Sequence, residues 1–440
     1  MEKEGIRNIM KIAVIGGGIS GLASAYELTK DKHEVAVYES DADIGGLASS
    51  FDFRGEFIER YYHFICRADK HLAIFCKEIG LGKNILWREA KTGYFVNGKL
   101  YPFTTPGDLL KFEPINFNDK MRIGINLLQS KYRKNWKKLD SIPAKEWLIK
   151  QIGINAYNVM WHPLLKIKFG EYYDKISAAW IWHRLYRLSK SRKNIMSSQV
   201  LGFIDKGSKL LMDTLKAKII QSGNKINTNT PVKKIVIEDR AIKGIETDSG
   251  FIGFDSVIST VPLPQFKELL PKEALKDFKA LDKIIYIGVV CMILKLKKPL
   301  TENFWLNIND DRMSINGIIE YSNLNPYKKF GGHSIVYIPY YLNTSEERYS
   351  YGDERLLDEY CGYLKMVNPE FNRDWILDYK VFRSPYAQPI CYNNFLNDIP
   401  GHKTNIKNLY IIDASQMYPT DRTLNDAIRL AKKVASLVGE

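Results

Sequence analysis

The stretch KIAVIGGGISGLASAYELTKDKHEVAVYES, Lys11 to Ser40, joins two short apolar runs through three glycines and a segment of small residues. The apolar runs read as buried parallel strands and the segment between them as a helix, which makes one βαβ unit of a doubly wound α/β fold. The turn carries Gly16-x-Gly18-x-x-Gly21. The first glycine allows the tight turn, the second lets a pyrophosphate approach the backbone, and the third lets the helix pack close to its strand. Phosphates then face free N–H groups and the positive end of a helix dipole. Glu39 ends the second run. A carboxylate there accepts hydrogen bonds from ribose hydroxyls and repels a 2′-phosphate. The segment predicts a dinucleotide site.

Outward from this unit, KHLAIFCKEIG reads as a short helix over 70–80 closed by Gly80. TGYFVNGKLYPF alternates around Asn97-Gly98, a strong hairpin signal. Residues 106–195 are helical in period and rich in Trp and basic residues. GSKLLMDTLKAKIIQSG is a further helix ending at Gly223, and short strands follow up to Val261-Pro262. Residues 283–385 alternate strands with loops, and NLYIIDASQMYPTDRTLNDAIRLAKKVASLV closes the chain as strand, loop and helix. The expected architecture is a Rossmann-type nucleotide domain interleaved with a substrate domain of mixed sheet plus helices. Its segments are residues 8–100, 199–265 and 396–440 for the nucleotide domain, 101–198 for a helical insertion and 266–395 for the substrate sheet.

The chain has 440 residues, 45% hydrophobic and 26% charged, enough for two cores. Its formal charge of +14 favours anionic partners. No compact basic block carries a nucleic-acid motif, so no nucleic-acid partner is expected. Five cysteines, none in C-x-x-C spacing, argue against a disulfide framework and a zinc site, and no metal is expected. A reducing, cytoplasmic setting fits them. The first strand is expected within about ten residues, so no signal peptide is expected, and no stretch approaches the ~18 apolar residues of a spanning helix. DKMRIGINLLQSKYRKNWKKL sets Met121, Ile125, Leu127 and Leu128 among many cations. This pattern fits either peripheral contact with an anionic membrane or a surface helix covering a core. The oligomeric state is not legible.

A second glycine pair, Gly45-Gly46, follows in ESDADIGGLASSF. With AVIGGGISGLASAYEL, NTPVKKIVIE, FDSVISTVP and the closing strand and helix, it resembles the FAD-dependent amine-oxidase superfamily, which includes protoporphyrinogen oxidases, phytoene desaturases and UDP-galactopyranose mutases. The resemblance implies bound FAD. It implies that Gly16, Gly18, Ser20 and Gly21 hold the pyrophosphate and that Glu39 holds the adenosine ribose. Gly45, Gly46, Leu47 and Ala48 would run beside the flavin half, and Val232 would offer its backbone to the adenine. The closing strand departs from the family pattern: Asp413 stands where a glycine is usual and Ala414 where an aspartate is usual. Asp421, in YPTDRT, either reaches the cofactor, as Arg422 could, or caps the helix that starts near Thr423.

His63, in ERYYHF, lies by position near the flavin. Arg383 and Tyr386, in VFRSPYAQPI, border its face in the fold that the resemblance implies. Lys166, Lys168, Arg184 and Arg187 are candidates to line an anionic pocket; spacing of three puts the two arginines on one helix face. Cys391 lacks the context for covalent flavin attachment. The expected function is an FAD-dependent oxidoreductase of oxidase or desaturase type, taking a hydride from an apolar or isoprenoid-like substrate. The alternative is a redox-neutral, flavin-dependent mutase or isomerase of a nucleotide sugar, in surface-glycan synthesis.

Overall fold

The opening segment folds as its pattern dictates. In the computed structural model, which describes residues 9–192 and 197–439, β1 spans Lys11–Ile15, α1 spans Ile19–Lys30 and β2 spans Glu34–Tyr38. Both strands are almost wholly buried apolar runs, as parallel strands covered on both faces must be. The chain returns to this sheet three times, as β3 (Lys225–Asn227), β4 (Ser256–Ser259) and β5 (Leu409–Ile411). The order is β3-β2-β1-β4-β5 and every pairing is parallel.

Gly21 fixes how α1 sits on this sheet. A Cβ there would lie 1.9 Å from the Gly16 carbonyl oxygen, so only glycine permits the approach. Gly16 has φ +102°, in the region glycine favours.

The second sheet has seven strands. Its central members, Tyr286–Leu296 and Ser334–Leu342, run antiparallel over nine residue pairs. Alternate residues face opposite sides. Val290, Met292 and Leu294 pack with Leu356, Tyr360 and Leu364 of the helix Asp353–Val367, whereas Val289, Cys291 and Ile293 join the core shared with the helical layer. The hairpin at Asn97-Gly98 forms, with φ of 51° and 77°. Its strands, Thr92–Val96 and Lys99–Pro102, extend this seven-stranded sheet and not the parallel one, because Thr92–Val96 pairs in parallel with Trp305–Asn309.

The helical layer includes α2 (Phe117–Tyr132), α3 (His162–Phe169) and α4 (Ala178–Lys190). The closing helix, α5 (Leu424–Leu437), packs against α1. Among the described residues no helix is long and apolar enough to cross a membrane, and no group of His, Cys, Asp or Glu is placed to hold a metal ion.

Candidate functional site

Two glycine loops make one floor. Gly45 N donates to Gly17 O at 2.8 Å, and Gly18 and Gly45 pair as a short parallel bridge. Gly45 (φ +119°) and Gly46 (φ +55°) occupy the left-handed region. Gly18 caps α1 with ordinary extended dihedrals, and a Cβ added to it would find nothing nearer than Gly45 O at 4.0 Å. That space opens above the N-terminus of α1. Glu39 is held at the end of β2, where Oε2 accepts from Gly17 N at 2.7 Å and Oε1 from Asp41 N at 2.9 Å.

The floor belongs to one cavity of about 1310 Å³ between the two sheets and the helical layer. Most ligand pockets are smaller, roughly 300–1,000 Å³, so a dinucleotide leaves room for a second molecule. Gly16, Gly18, Ser20, Glu39, Gly45, Gly46, Leu47, Ala48 and Val232 all line it. So do His63, Lys168, Arg184, Arg187, Arg383, Tyr386, Asp413 and Asp421. Gly21 does not; its place is the helix–strand contact. A glycine-lined cradle on a helix N-terminus, with a carboxylate one strand away, fits the diphosphate and ribose of FAD.

Around the remaining volume the side chains divide. Asp413 turns inward on the protein: Oδ1 accepts from Ser415 N (2.7 Å) and Oγ (2.6 Å), and Oδ2 from the Tyr286 hydroxyl (2.7 Å). Burial pushes its carboxyl up. Arg383 spends its guanidinium on Tyr349 O (3.0 Å), Tyr351 O (2.6 Å) and Asp353 Oδ1 (2.9 Å), which ties the strand Ile376–Pro389 to the start of the helix Asp353–Val367. Tyr386 sits edge-on to Tyr286, with ring centroids 5.8 Å apart.

Asp421 anchors a charged group. It accepts from Arg184 Nη1 at 2.9 Å and lies 3.9 Å from Lys168 Nζ. It does not cap α5; Thr423 does, accepting from Asp426 N at 3.0 Å, because its position places the hydroxyl over the first turn. Burial works against the Asp421 charge, but Lys168, Arg184 and Arg422 together hold its pKa below the usual range. Lys168 keeps 11% of its side chain exposed and stands among the rings of Tyr341 (4.6 Å), Trp180 (5.0 Å) and Phe169 (5.5 Å). Burial, with help from Arg184 and Arg422, lowers its pKa to about 7. Lys166, two residues earlier on α3, points to solvent, since two residues turn a helix by about 200°.

Arg422 donates to the Tyr341 hydroxyl at 3.2 Å. Arg187 is paired with Asp69 (2.9 Å), a buried couple that the sequence reading missed. His63 is lowered to about 4, by burial and then by Arg422, and is neutral at neutral pH. His183 is likewise lowered to about 4 by burial and Arg187. Trp180, His183, Arg184 and Arg187 follow i, i+3, i+4, i+7 spacing along α4, the signal from which the whole face was readable.

At the helical end, α2 is inverted. Its buried residues are Asp119, Asn126 and Ser130, whereas Phe117, Met121, Ile125, Leu128 and Tyr132 are between 40% and 71% exposed. Polar bonds hold the inner face: Asn126 donates to Gln151, and the Trp182 indole donates to Ser130 O. Ile123 and Leu127 are half-buried, Ile123 against the core, so the helix covers the core with few apolar residues while its larger ones face outward. Met121, Ile125 and Leu128 also border the cavity.

The profile of the flavin-containing amine oxidoreductases matches residues 19–438. The chain belongs to this family. The family's flavin agrees with the FAD that the two glycine loops fit. The zeta-carotene desaturase of Capsicum annuum is 26% identical over 330 residues, covering 67% of this chain and 55% of that protein. The 15-cis-phytoene desaturase of Synechococcus elongatus is 24% identical over 326 residues, 67% of each chain. The chain thus spans about half the length of the plant relatives it matches. Among solved structures it is similar to an oxidoreductase from Methanosarcina mazei (TM-score 0.75, 20% identity, 98% of this chain and 100% of that one). It is equally similar to reduced UDP-galactopyranose mutase (TM-score 0.75, 16% identity, 98% and 95%). At these identities the likeness is one of fold.

Proposed function

We propose that this protein is an FAD-dependent oxidoreductase of oxidase or desaturase type that takes a hydride from an apolar, isoprenoid-like substrate. The observation that carries the reading is the cavity, which runs from the glycine floor to the apolar side chains of α2 and holds more than a dinucleotide. The carotene desaturases among its relatives support the substrate class. Bound flavin supplies the hydride acceptor. The chain supplies the rest. Gly16, Gly18 and the N-terminus of α1 bind the diphosphate, Glu39 orients the ribose, and Tyr62, Phe64 and Trp305 wall the cavity with rings that exclude water. Loss of a hydride from one carbon and a proton from its neighbour leaves a C=C bond. Anaerobic incubation of the flavin-loaded protein with an acyclic isoprenoid alcohol should bleach the oxidised flavin. Flavin that stays oxidised with a panel of such alcohols and their phosphate esters sinks the reading.

The charged group around Asp421 favours a second reading, a redox-neutral isomerase of a nucleotide sugar. UDP should then perturb the flavin spectrum, and more strongly after dithionite reduction. We further propose that α2 meets an anionic membrane. Its outward apolar stripe is flanked by Lys111, Lys120, Lys131, Arg133 and Lys134, an arrangement that complements an acidic leaflet and opens the cavity toward lipid.

A further inference from the structure

Resting on the oxidoreductase reading above, we infer that the charged end of the cavity receives an anionic head group, so that the substrate is an amphiphile, a phosphorylated apolar chain, and not a plain hydrocarbon. Three cations, Lys168, Arg184 and Arg422, converge on a single carboxylate, Asp421, and on the Tyr341 hydroxyl. The fourth nearby cation, Arg187, is already matched by Asp69. Like charges gathered in a poorly solvated site repel one another unless an anion joins them. Among the described residues no acceptor lies within hydrogen-bond distance of the Lys168 ammonium; Asp421 Oδ2, at 3.9 Å, is the nearest acid.

An independent sign of a missing partner lies beside the cations. The Nδ1 atoms of His63 and His183 and the Nε of Arg187 are buried without a partner among the described residues. All three residues line the cavity. Both histidines are neutral at neutral pH, so each carries one N–H, which the Nδ1-protonated tautomer would offer to an oxyanion. This is not the seat of the FAD diphosphate, which has its own cradle on α1. The cations sit on α3, on α4 and before α5, and their partners are Tyr341, Trp180 and Asp421. The same cavity is lined by Leu109 and by Ile123 and Leu127 of α2, a lining that suits an apolar tail.

Lys168 gives the site a pH signature. It faces Asp421, Arg184, Arg422, Tyr341 and the Cys391 thiol, which burial keeps protonated. With a pKa of about 7 in the free protein, it should take up a proton when an anion arrives.

The test uses the flavin-loaded protein and four probes: farnesyl diphosphate, farnesol, inorganic diphosphate and UDP. Dissociation constants are read from tryptophan fluorescence or calorimetry. Farnesyl diphosphate should bind at least about tenfold tighter than farnesol, as one charge-assisted contact predicts. It should also bind tighter than inorganic diphosphate or UDP, which lack the tail. Lys168→Met and, separately, Arg184→Gln should each weaken farnesyl diphosphate by about tenfold or more and leave farnesol unchanged. Proton uptake on binding near neutral pH should vanish in Lys168→Met.

Equal affinity for farnesol and farnesyl diphosphate overturns the inference while leaving the oxidoreductase reading intact. Equal affinity for UDP shows that the tail is not read and overturns it in favour of a nucleotide site. Failure of all four probes to bind overturns it as well. If Lys168→Met instead releases FAD, the cations serve the cofactor and the inference falls. Anaerobic flavin bleaching, measured on the same samples, reports the oxidoreductase reading separately.

Discussion

Two glycines of one motif should respond in opposite ways to the same substitution. Gly18 has φ −70° and ψ 177°, open to any residue, and a Cβ on it meets only Gly45 O at 4.0 Å. Gly18→Ala therefore costs the free protein little. A glycine-to-alanine change gains about 0.4–1 kcal/mol from the unfolded chain, and the poorer helix cap loses about as much. The melting temperature of the flavin-free protein should move by no more than about 3 °C. The new methyl, however, fills the space where the diphosphate meets the backbone. Displacing two charged hydrogen bonds of about 1.5–3 kcal/mol each weakens FAD by about two to four orders of magnitude. Gly18→Val should abolish it. Gly21→Ala is the control: its Cβ would fall 1.9 Å from a carbonyl oxygen, so the helix must shift, with a loss of about 1–3 kcal/mol or more. The assay pairs thermal unfolding of flavin-free protein with the ratio of flavin to protein after FAD is added. A Gly18→Val protein that takes up FAD stoichiometrically would falsify the placement of the cofactor, and equal destabilisation by the two alanines would refute the assignment of roles.

The remaining expectations follow from single contacts. Met121→Asp with Ile125→Asp should abolish co-sedimentation with anionic vesicles at low salt without lowering the melting temperature, because both side chains already face outward; undiminished vesicle binding removes α2 from the membrane contact. Arg187→Met should destabilise by about 3–5 kcal/mol in urea unfolding by stranding buried Asp69, and adding Asp69→Asn should restore most of it. Glu320 is buried beneath Ser334, Leu300 N and Thr301 N, and burial raises its pKa to about 7. The native state then binds more protons than the unfolded one between about pH 4.5 and 7, so stability falls as pH rises through that window, by about 3 kcal/mol. Glu320→Gln should flatten that slope in urea midpoints, and an unchanged slope would return the effect to other groups.

What was legible in the sequence was what local chemistry decides. The β1–α1–β2 unit, the turn at Asn97-Gly98 and the helix after Asp69 depend on neighbours a few residues away. The sheet that the hairpin joins depends on Trp305–Asn309, two hundred residues downstream, and no local pattern announces it. Lys166 and Lys168 look equivalent until the rotation of α3 is known. Arg383 lines the cavity, but no local pattern shows that its donors go to the backbone of a loop more than thirty residues away. The inversion of α2 was hidden for a different reason. An apolar stripe conventionally marks the inner face of a helix, and only the partners of Asp119 and Asn126 show that here the polar face is the inner one.

The parallel sheet has a consequence for how the protein acquires its flavin. The cradle comes from the first fifty residues, but β5 and α5, which flank β4 and cover α1, come from residues 409–437. A nascent chain thus carries the phosphate loop early on a sheet that lacks its edge strand and its covering helix. High contact order of this kind delays the native sheet until its last strand is available. Flavin loading is then a post-translational event, and ribosome-stalled chains lacking residues beyond 400 should emerge colourless even when free FAD is abundant.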